Sequence, residues 1–472
     1  MTPYMTAATH SARVRRAVSA VSLAVAIAST LALSACSPTD ALQVTDPDII
    51  NPSDVQSAAG ANAVRLGAIG RLNSATTGGS ASSEGLFLLS GLFADEWNNG
   101  DSFIARWEVD QRSITPQNNF LTDVDRMLHR ARLAGSQAVQ LLQQFNPNGP
   151  AADVAEMYFV QSYVENALGE HYCNGLVLSG VVDGTEEYGS PMTTTAAFQA
   201  ALAHADSGLA LITGTSTADV KVRSALQIVR GRILLNLDRS AEATLAVVGI
   251  ATNYKYQMQQ SQTTNDNAIW SYNNIARRYS VSNREGTNGL NFATSADPRL
   301  PICQGGDVVC KANGVTLTQR DDKSAFPIYV QLIWPTRDAS VTIAGGIEAR
   351  MLEAEAAYRA GSFPLMMQKL NQARTEGGVT GLPATLTDPG TTAGRVDLIF
   401  RERAFWLFST AHRVGDMRRL IKYYSRSVET VFPTGAWDKG GNYGVDVNFP
   451  VPQAEENNPN VTAEHTCTDR AA

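Results

Sequence analysis

The sequence predicts a mostly α-helical chain of antiparallel helical hairpins, interrupted by one loop-rich insertion that carries short strands. Three observations predict it. Long stretches repeat apolar residues at helical spacing, pairs of them are joined by tight turns, and runs with strand character are short and few. Composition agrees: the 472 residues are 44% hydrophobic, 18% charged and 7% aromatic, which are globular values. The 38 Lys and Arg against 45 Asp and Glu give a net charge of −7. So acidic a chain has no bulk attraction for nucleic acid or anionic lipid, and nucleic-acid binding is set aside.

The N-terminus reads as an export signal. Arg13, Arg15 and Arg16 form a basic segment, and Ala17–Ala35 is free of charge. Leu33-Ser34-Ala35-Cys36 then resembles the bacterial lipobox. The resemblance implies a signal peptide over 1–35 and a lipid-modified Cys36 as the mature N-terminus, anchored to a membrane without spanning it. Residues 36–57 are polar and proline-punctuated, a tether. A single helical-repeat domain is expected over 58–472, with an insertion around 263–344.

Within that domain, Asp123–Phe145 places Val124, Leu128, Ala131, Val139 and Leu142 on one face. Asp153–Gly169 has apolar residues on two faces and is therefore expected between neighbours. Thr193–Ile212 and Asp219–Asn236 are further helices. The last of these and the segment after Asp238-Arg239-Ser240 form one hairpin, with Ser240 as candidate N-cap. A second hairpin runs from Ile347 to a stop at Gly361, restarts at the candidate cap Ser362, and ends at Gly377-Gly378. Such pairs are the unit of tetratricopeptide-type repeats, so the expected scaffold is a right-handed superhelix of degenerate copies. The Thr263–Ala344 tract is rich in Gly, Asn, Asp and Thr, with strands expected at Ala268–Tyr272 and Phe326–Ile333. It is too long for a passive connector and is a candidate functional surface.

Four cysteines follow Cys36. Cys303 and Cys310 close a short glycine-containing loop and are expected to pair, which leaves Cys173 with Cys467. Reaction machinery is sparse: the sequence has no Gly-x-Ser-x-Gly, His-Glu-x-x-His, P-loop or Gly-x-Gly-x-x-Gly. Asp95-Glu96 and Glu186-Glu187 are adjacent carboxylates, a poor arrangement for flanking a scissile bond. No enzyme, no cofactor and no metal site is expected; calcium binding stays open, with no loop motif to support it.

Arg413 and Asp416, and Asp416 and Arg419, are spaced to pair on a helical turn. Glu355 and Glu402 lie amid apolar helix faces, where a carboxylate needs a cationic partner. These five residues read as a structural network, with Arg413 expected to hold it together.

The same region carries a family resemblance. Glu353-Ala354-Glu355, Gly361 and Leu370-Asn371-Gln372-Ala373-Arg374 resemble the hairpin of the SusD/RagB family of outer-membrane nutrient-uptake lipoproteins. So do Arg401-Glu402-Arg403, His412-Arg413-Val414-Gly415-Asp416-Met417-Arg418-Arg419 and Phe449-Pro450-Val451-Pro452 with Asn458-Pro459. Asp297-Pro298-Arg299 fits as well. The resemblance is dense over 343–460 and weak over 263–340. It implies a surface-exposed, lipid-anchored subunit that captures an oligosaccharide, or a peptide, and delivers it to a TonB-dependent, SusC-like outer-membrane barrel. Two other readings are a helical-repeat scaffold for envelope protein assembly and a surface glycan-degrading enzyme.

Sugars offer C–H faces to aromatic rings and hydroxyls to amides and carboxylates. Aromatics in polar loops are therefore the expected ligand contacts: Trp97 with Glu96 and Asn98 first, then Trp270 and Tyr272, then Trp334 and Tyr279. Trp97→Ala is expected to weaken binding with little loss of melting temperature. Phe405 and Trp406, beside Leu407 and Phe408, read as core.

Overall fold

The computed structural model describes residues 55–79, 84–182, 185–322, 326–462 and 467–472. The expected signal peptide over 1–35, Cys36 and nearly all of the expected tether lie outside the described residues. Helices of seven residues or more are numbered below.

Helix α1 (Ala58–Thr77) starts where the Ser57 hydroxyl accepts from the Gly60 amide at 3.0 Å. Helix α2 (Gly85–Phe93, Gly-Leu-Phe-Leu-Leu-Ser-Gly-Leu-Phe) is buried along its whole length, as a helix apolar all round must be. After α3 (Ile104–Asp110), Asn118 caps α4 (Asn119–Phe145), whose buried stripe contains the five residues that the spacing selects. Helix α5 (Ala151–His171) is the central rod, packed between α4, α6 (Thr194–Leu211) and α7 (Thr217–Asn236). A reciprocal Ser216/Asp219 capping box opens α7. Ser240 is the first residue of α8 (Ser240–Ala246) and caps nothing.

The second hairpin is α9 (Gly346–Arg359) and α10 (Phe363–Glu376), joined through Gly361 at φ +72°. Ser362 holds the N-cap position without a side-chain bond; Pro364 fixes the first turn instead. Helix α9 also packs on α7, α8 and α11 (Thr392–Trp406), which α12 (Arg413–Tyr424) follows. Stacked antiparallel helices thus make up most of the unit Gln56–Ala472.

Strands are short and come in antiparallel pairs. β1 (Trp97–Asn99) pairs with β5 (Tyr279–Val281), and β2 (Gly180–Val182) with β3 (Thr185–Glu187). β4 (Lys255–Met258) pairs with β8 (Val341–Gly345), and β6 (Ile302–Gln304) with β7 (Tyr329–Gln331). The strand expected at 326–333 is β7. That expected at 268–272 is instead a helical turn, Ala268–Trp270, continuing into the π-helical Ser271–Ile275. The cause is local: Asn267 accepts from the Trp270 amide at 3.0 Å and caps the turn. Asn273 then stands in for a strand with its side chain, donating to the Tyr279 and Tyr329 carbonyls and accepting from the Gln331 amide. Cys303 is bonded to Cys310 and Cys173 to Cys467, the latter across 294 residues.

The buried ion network is wired differently from the expected pattern. Asp416 lies between Arg403 and Arg419, at 2.8 Å from each, and Arg419 also grips Glu355 through two bonds of 3.0 and 2.9 Å. Arg419, which bonds both carboxylates, is the hub, and Arg403 beside it is 0% exposed. Arg413 does not bind Asp416; it reaches Asp95 with bonds of 2.7 and 2.9 Å. Glu402 forms a separate cluster with Arg299 and Arg374. A helical turn offers Asp416 to both neighbours, and tertiary packing decides the pairing by bringing Arg403 to Asp416 and Asp95 to Arg413. Each carboxylate is multiply hydrogen-bonded, which is what offsets the desolvation of buried charge.

Candidate functional site

Strand β1 positions the early loop. Trp97 is 0% exposed, its ring against Phe408 at 5.2 Å and edge-on to Tyr279 at 6.3 Å. Its indole N–H donates to the Ser409 hydroxyl at 2.8 Å. A β-carbon on Gly91 would come within 2.6 Å of the indole, so this glycine in α2 makes room for the ring. Glu96 is equally buried, accepts from the Ser409 amide at 2.9 Å, and has its carboxyl pushed up to about 8 by burial. Trp97 and Glu96, expected in a ligand-facing loop, are core. The string Asp95-Glu96-Trp97-Asn98-Asn99 is polar yet buried throughout, with Asp95 accepting from Arg413 and Leu290 and Glu96 from Ser409.

Asn98 points the other way, into a cleft of about 370 Å³. Its amide donates to Glu285 at 2.8 Å and to Asp438 at 3.2 Å, while its own oxygen has no hydrogen-bond partner among the described residues. Arg320 donates to Asp438 at 2.8 Å and lies 4.8 Å from the centre of the Phe326 ring. Phe326 is 49% exposed, and Tyr329 and Tyr443 are half-buried at the same opening. The Tyr443 hydroxyl donates to Glu285. Trp437 forms the inner wall, donating to Asp110 at 3.2 Å. Burial pushes the Asp110 and Glu285 carboxyls above their usual range, helped at Asp110 by the Glu285 charge and then Asp438, and at Glu285 by Asp438. The opening thus combines aromatic surface with fixed amide, guanidinium and carboxyl groups.

A second, larger cavity of about 660 Å³ lies between β4, β8, the 333–340 turn and the C-terminal ends of α10 and α11. Trp334 and Trp406 line it, Trp334 being only 7% exposed. Trp406, expected in the core, is half-buried on this wall, and its indole N–H has no partner among the described residues. Phe405 and Phe408 of the core also contribute to the lining.

No family model matches the sequence, and no curated protein sequence matches it. Solved structures do. A SusD-like carbohydrate-binding protein from Bacteroides fragilis superposes with a TM-score of 0.64 at 12% identity, over 86% of this chain and 99% of its own. A surface glycan-binding protein from Bacteroides uniformis gives 0.62 at 12%, with the same coverage. A SusD superfamily protein from Bacteroides vulgatus gives 0.58 at 13%, over 86% and 98%. The fold is SusD-like.

Placed on this SusD-like fold, the expected ligand residues separate. Asn98 reaches the smaller cleft and Trp334 the larger cavity. Tyr272 (2% exposed) and Tyr279 (0%) stack edge-on at 5.9 Å beneath the Arg106 guanidinium, as core, and Trp270 lines neither opening. Overlooked were Glu285, Arg320, Phe326, Trp437, Asp438 and Tyr443. Gly435-Ala436-Trp437-Asp438-Lys439-Gly440-Gly441-Asn442-Tyr443 carries the signal that singles out Trp97, aromatics amid polar and glycine residues, and with glycines it is the stronger instance. Among the described residues, no helix is long and apolar enough to cross a membrane.

Proposed function

We propose that this chain is a non-catalytic, surface-exposed capture subunit that binds an oligosaccharide in the cleft between Asn98, Phe326 and Asp438. Lipid-anchored through Cys36 to the outer membrane, it would pass the ligand to a TonB-dependent barrel. The observation that carries the binding site is the exposed Phe326 ring beside Arg320, Asn98 and Asp438, an open aromatic surface rimmed by fixed polar groups. Sugar C–H faces stack on such a ring while hydroxyls bond the polar rim. Similarity to proteins described as carbohydrate- and glycan-binding supports the ligand class.

Binding is favoured over hydrolysis by the similarity to proteins described as carbohydrate- and glycan-binding. In the cleft, Glu285 accepts from Asn98 and Tyr443, and Asp438 from Arg320 and Asn98, so both carboxylates hold the walls together. The larger cavity comes second because Trp334 is only 7% exposed and two of its other aromatic walls, Phe405 and Phe408, belong to the core.

Calorimetry against an oligosaccharide panel tests the reading. Phe326→Ala and Asn98→Ala should each weaken binding at least about tenfold, a loss of roughly 1.4 kcal/mol. Trp334→Ala should leave it within about threefold. The reverse pattern would move the site to the larger cavity, and release of reducing ends would make the protein an enzyme. Palmitate labelling of Cys36 and co-purification of a barrel test the anchor and the partner.

A further inference from the structure

One cluster of ligating side chains lies away from both clefts. Asp125 and His129 are four residues apart on α4 and so share a face. The 3₁₀ turn Gln453–Asn457 brings Glu455 against them. One carboxylate oxygen of Asp125, one imidazole nitrogen of His129 and one carboxylate oxygen of Glu455 all lie within 4.8 Å of one another. His129 Nε2 is 3.7 Å from Asp125 Oδ1, too long for a hydrogen bond. That spacing suits ligands around a common ion, since bonds of about 2.0–2.1 Å in a tetrahedral site set ligand atoms about 3.3 Å apart.

We infer that Asp125, His129 and Glu455 form a binding site for a divalent transition metal of the zinc class. The Asp125 carboxylate, 8% exposed, faces the half-buried Glu455 carboxylate, and the neighbouring Arg126 side chain is 52% exposed. A dication suits all three, because each side chain supplies one donor atom to a common space in which those atoms lie within 4.8 Å of one another. The Tyr172 hydroxyl, 1% exposed and without a regular hydrogen bond, lies against the Asp125 carboxylate. That is the position of a group that orients a ligating carboxylate.

The donor set selects the metal. An imidazole with two carboxylate oxygens suits zinc, cobalt or nickel and disfavours calcium, which takes six to eight oxygens. Three protein ligands leave a fourth position for water. The other candidate group, Cys303, Asp307 and Cys310, is ruled out because its sulfurs are joined in a disulfide. A bound ion would pin the turn that precedes Asn458-Pro459 to α4.

The test uses the full chain, untagged, stripped with chelator and titrated with zinc chloride by calorimetry and thermal unfolding. One equivalent of zinc should bind and raise the melting temperature, with calcium chloride inert. Cobalt should give the visible absorption of a four- or five-coordinate site. His129→Gln and Glu455→Gln should each weaken zinc binding at least tenfold, while His204→Gln, on a different helix, should not. Glu455 is half-buried on a surface turn, so its variant keeps the test valid if the His129 variant misfolds. Absence of a zinc-dependent shift in the wild type, preference for calcium, or unchanged zinc affinity in both variants would overturn the assignment.

Discussion

Replacing Trp97 with alanine is the sharpest test of how the early loop is built. The indole is fully buried, so deleting it costs the transfer and cavity terms of a large core truncation, about 3–5 kcal/mol. It also leaves the Ser409 hydroxyl, itself 0% exposed, without the donor it accepts from at 2.8 Å, for a further 1 kcal/mol or so. The sum, roughly 4–6 kcal/mol, is a large fraction of the 5–15 kcal/mol that typically holds a domain folded. Trp97→Phe keeps a ring against Phe408 and Tyr279 and gives up the N–H, so its cost should fall to about 1–2 kcal/mol. Denaturant unfolding followed by far-ultraviolet circular dichroism reads both. A Trp97→Ala midpoint shift worth less than about 1 kcal/mol would refute this account and return Trp97 to the role of a ligand contact.

Asp416→Asn should cost about 3–5 kcal/mol at neutral pH, because it leaves Arg403 and Arg419 buried with one shared carboxylate. Although burial opposes it, Arg403 and Arg419 hold the Asp416 carboxyl well below its usual value of 3.8. Its contribution is thus present above that pH and fades below it, and the gap between wild type and variant should close in acid. Glu96→Gln should behave oppositely. The native carboxyl is raised from 4.5 to about 8, so the wild type binds the extra proton in the folded state and loses stability as pH rises through that window. The variant should gain on it by at most about 1.4 kcal/mol per pH unit between those limits, measured as unfolding midpoints at pH 5 and 7. Among the disulfides, Cys467→Ser opens a bridge across 294 residues and should cost about 5 kcal/mol. Cys303→Ser opens one across 7 and should cost roughly 2–3 kcal/mol; equal melting-temperature losses would contradict the loop-entropy account.

The helical frame was legible because helices write their burial into the sequence at a fixed period. The stripe Val124–Leu142 and the two-faced 153–169 segment specify which sides of α4 and α5 are covered, and Gly361 and Gly377-Gly378 mark hairpin ends by backbone freedom alone. The site was not legible in the same way, since its polar residues are satisfied by partners hundreds of positions distant. Asn98 meets Glu285 and Asp438, and Trp97 meets Ser409. A tryptophan among acids and amides looks identical whether those groups face water or each other. The 267–275 segment failed for a related reason: its apolar content suggested a strand, but asparagine side chains supplied the backbone bonding.

One carboxylate explains how a loop-built cleft stays on a helical frame. Asp95 accepts both bonds from Arg413, on α12, and also the Leu290 amide at 2.9 Å, from the inserted tract. Scaffold, early strand and insertion therefore meet at a single side chain that is 0% exposed. The third wall is tied down similarly, with Arg112 donating to the Pro433 and Asp446 carbonyls on either side of the Trp437 loop. The cleft residues themselves bear few of these anchoring contacts: Phe326 is half in solvent, and Tyr329 and Tyr443 are half-buried. The exposed aromatic ring is thus distinct from the anchors, whereas Asn98, tied to Glu285 and Asp438, serves as both. Phe326 can change without loosening the joints beneath it, as expected when a rigid frame presents variable loops. That division accounts for a sequence in which the 343–460 frame carries a recognisable pattern while the 263–340 tract, which supplies most of the opening, does not.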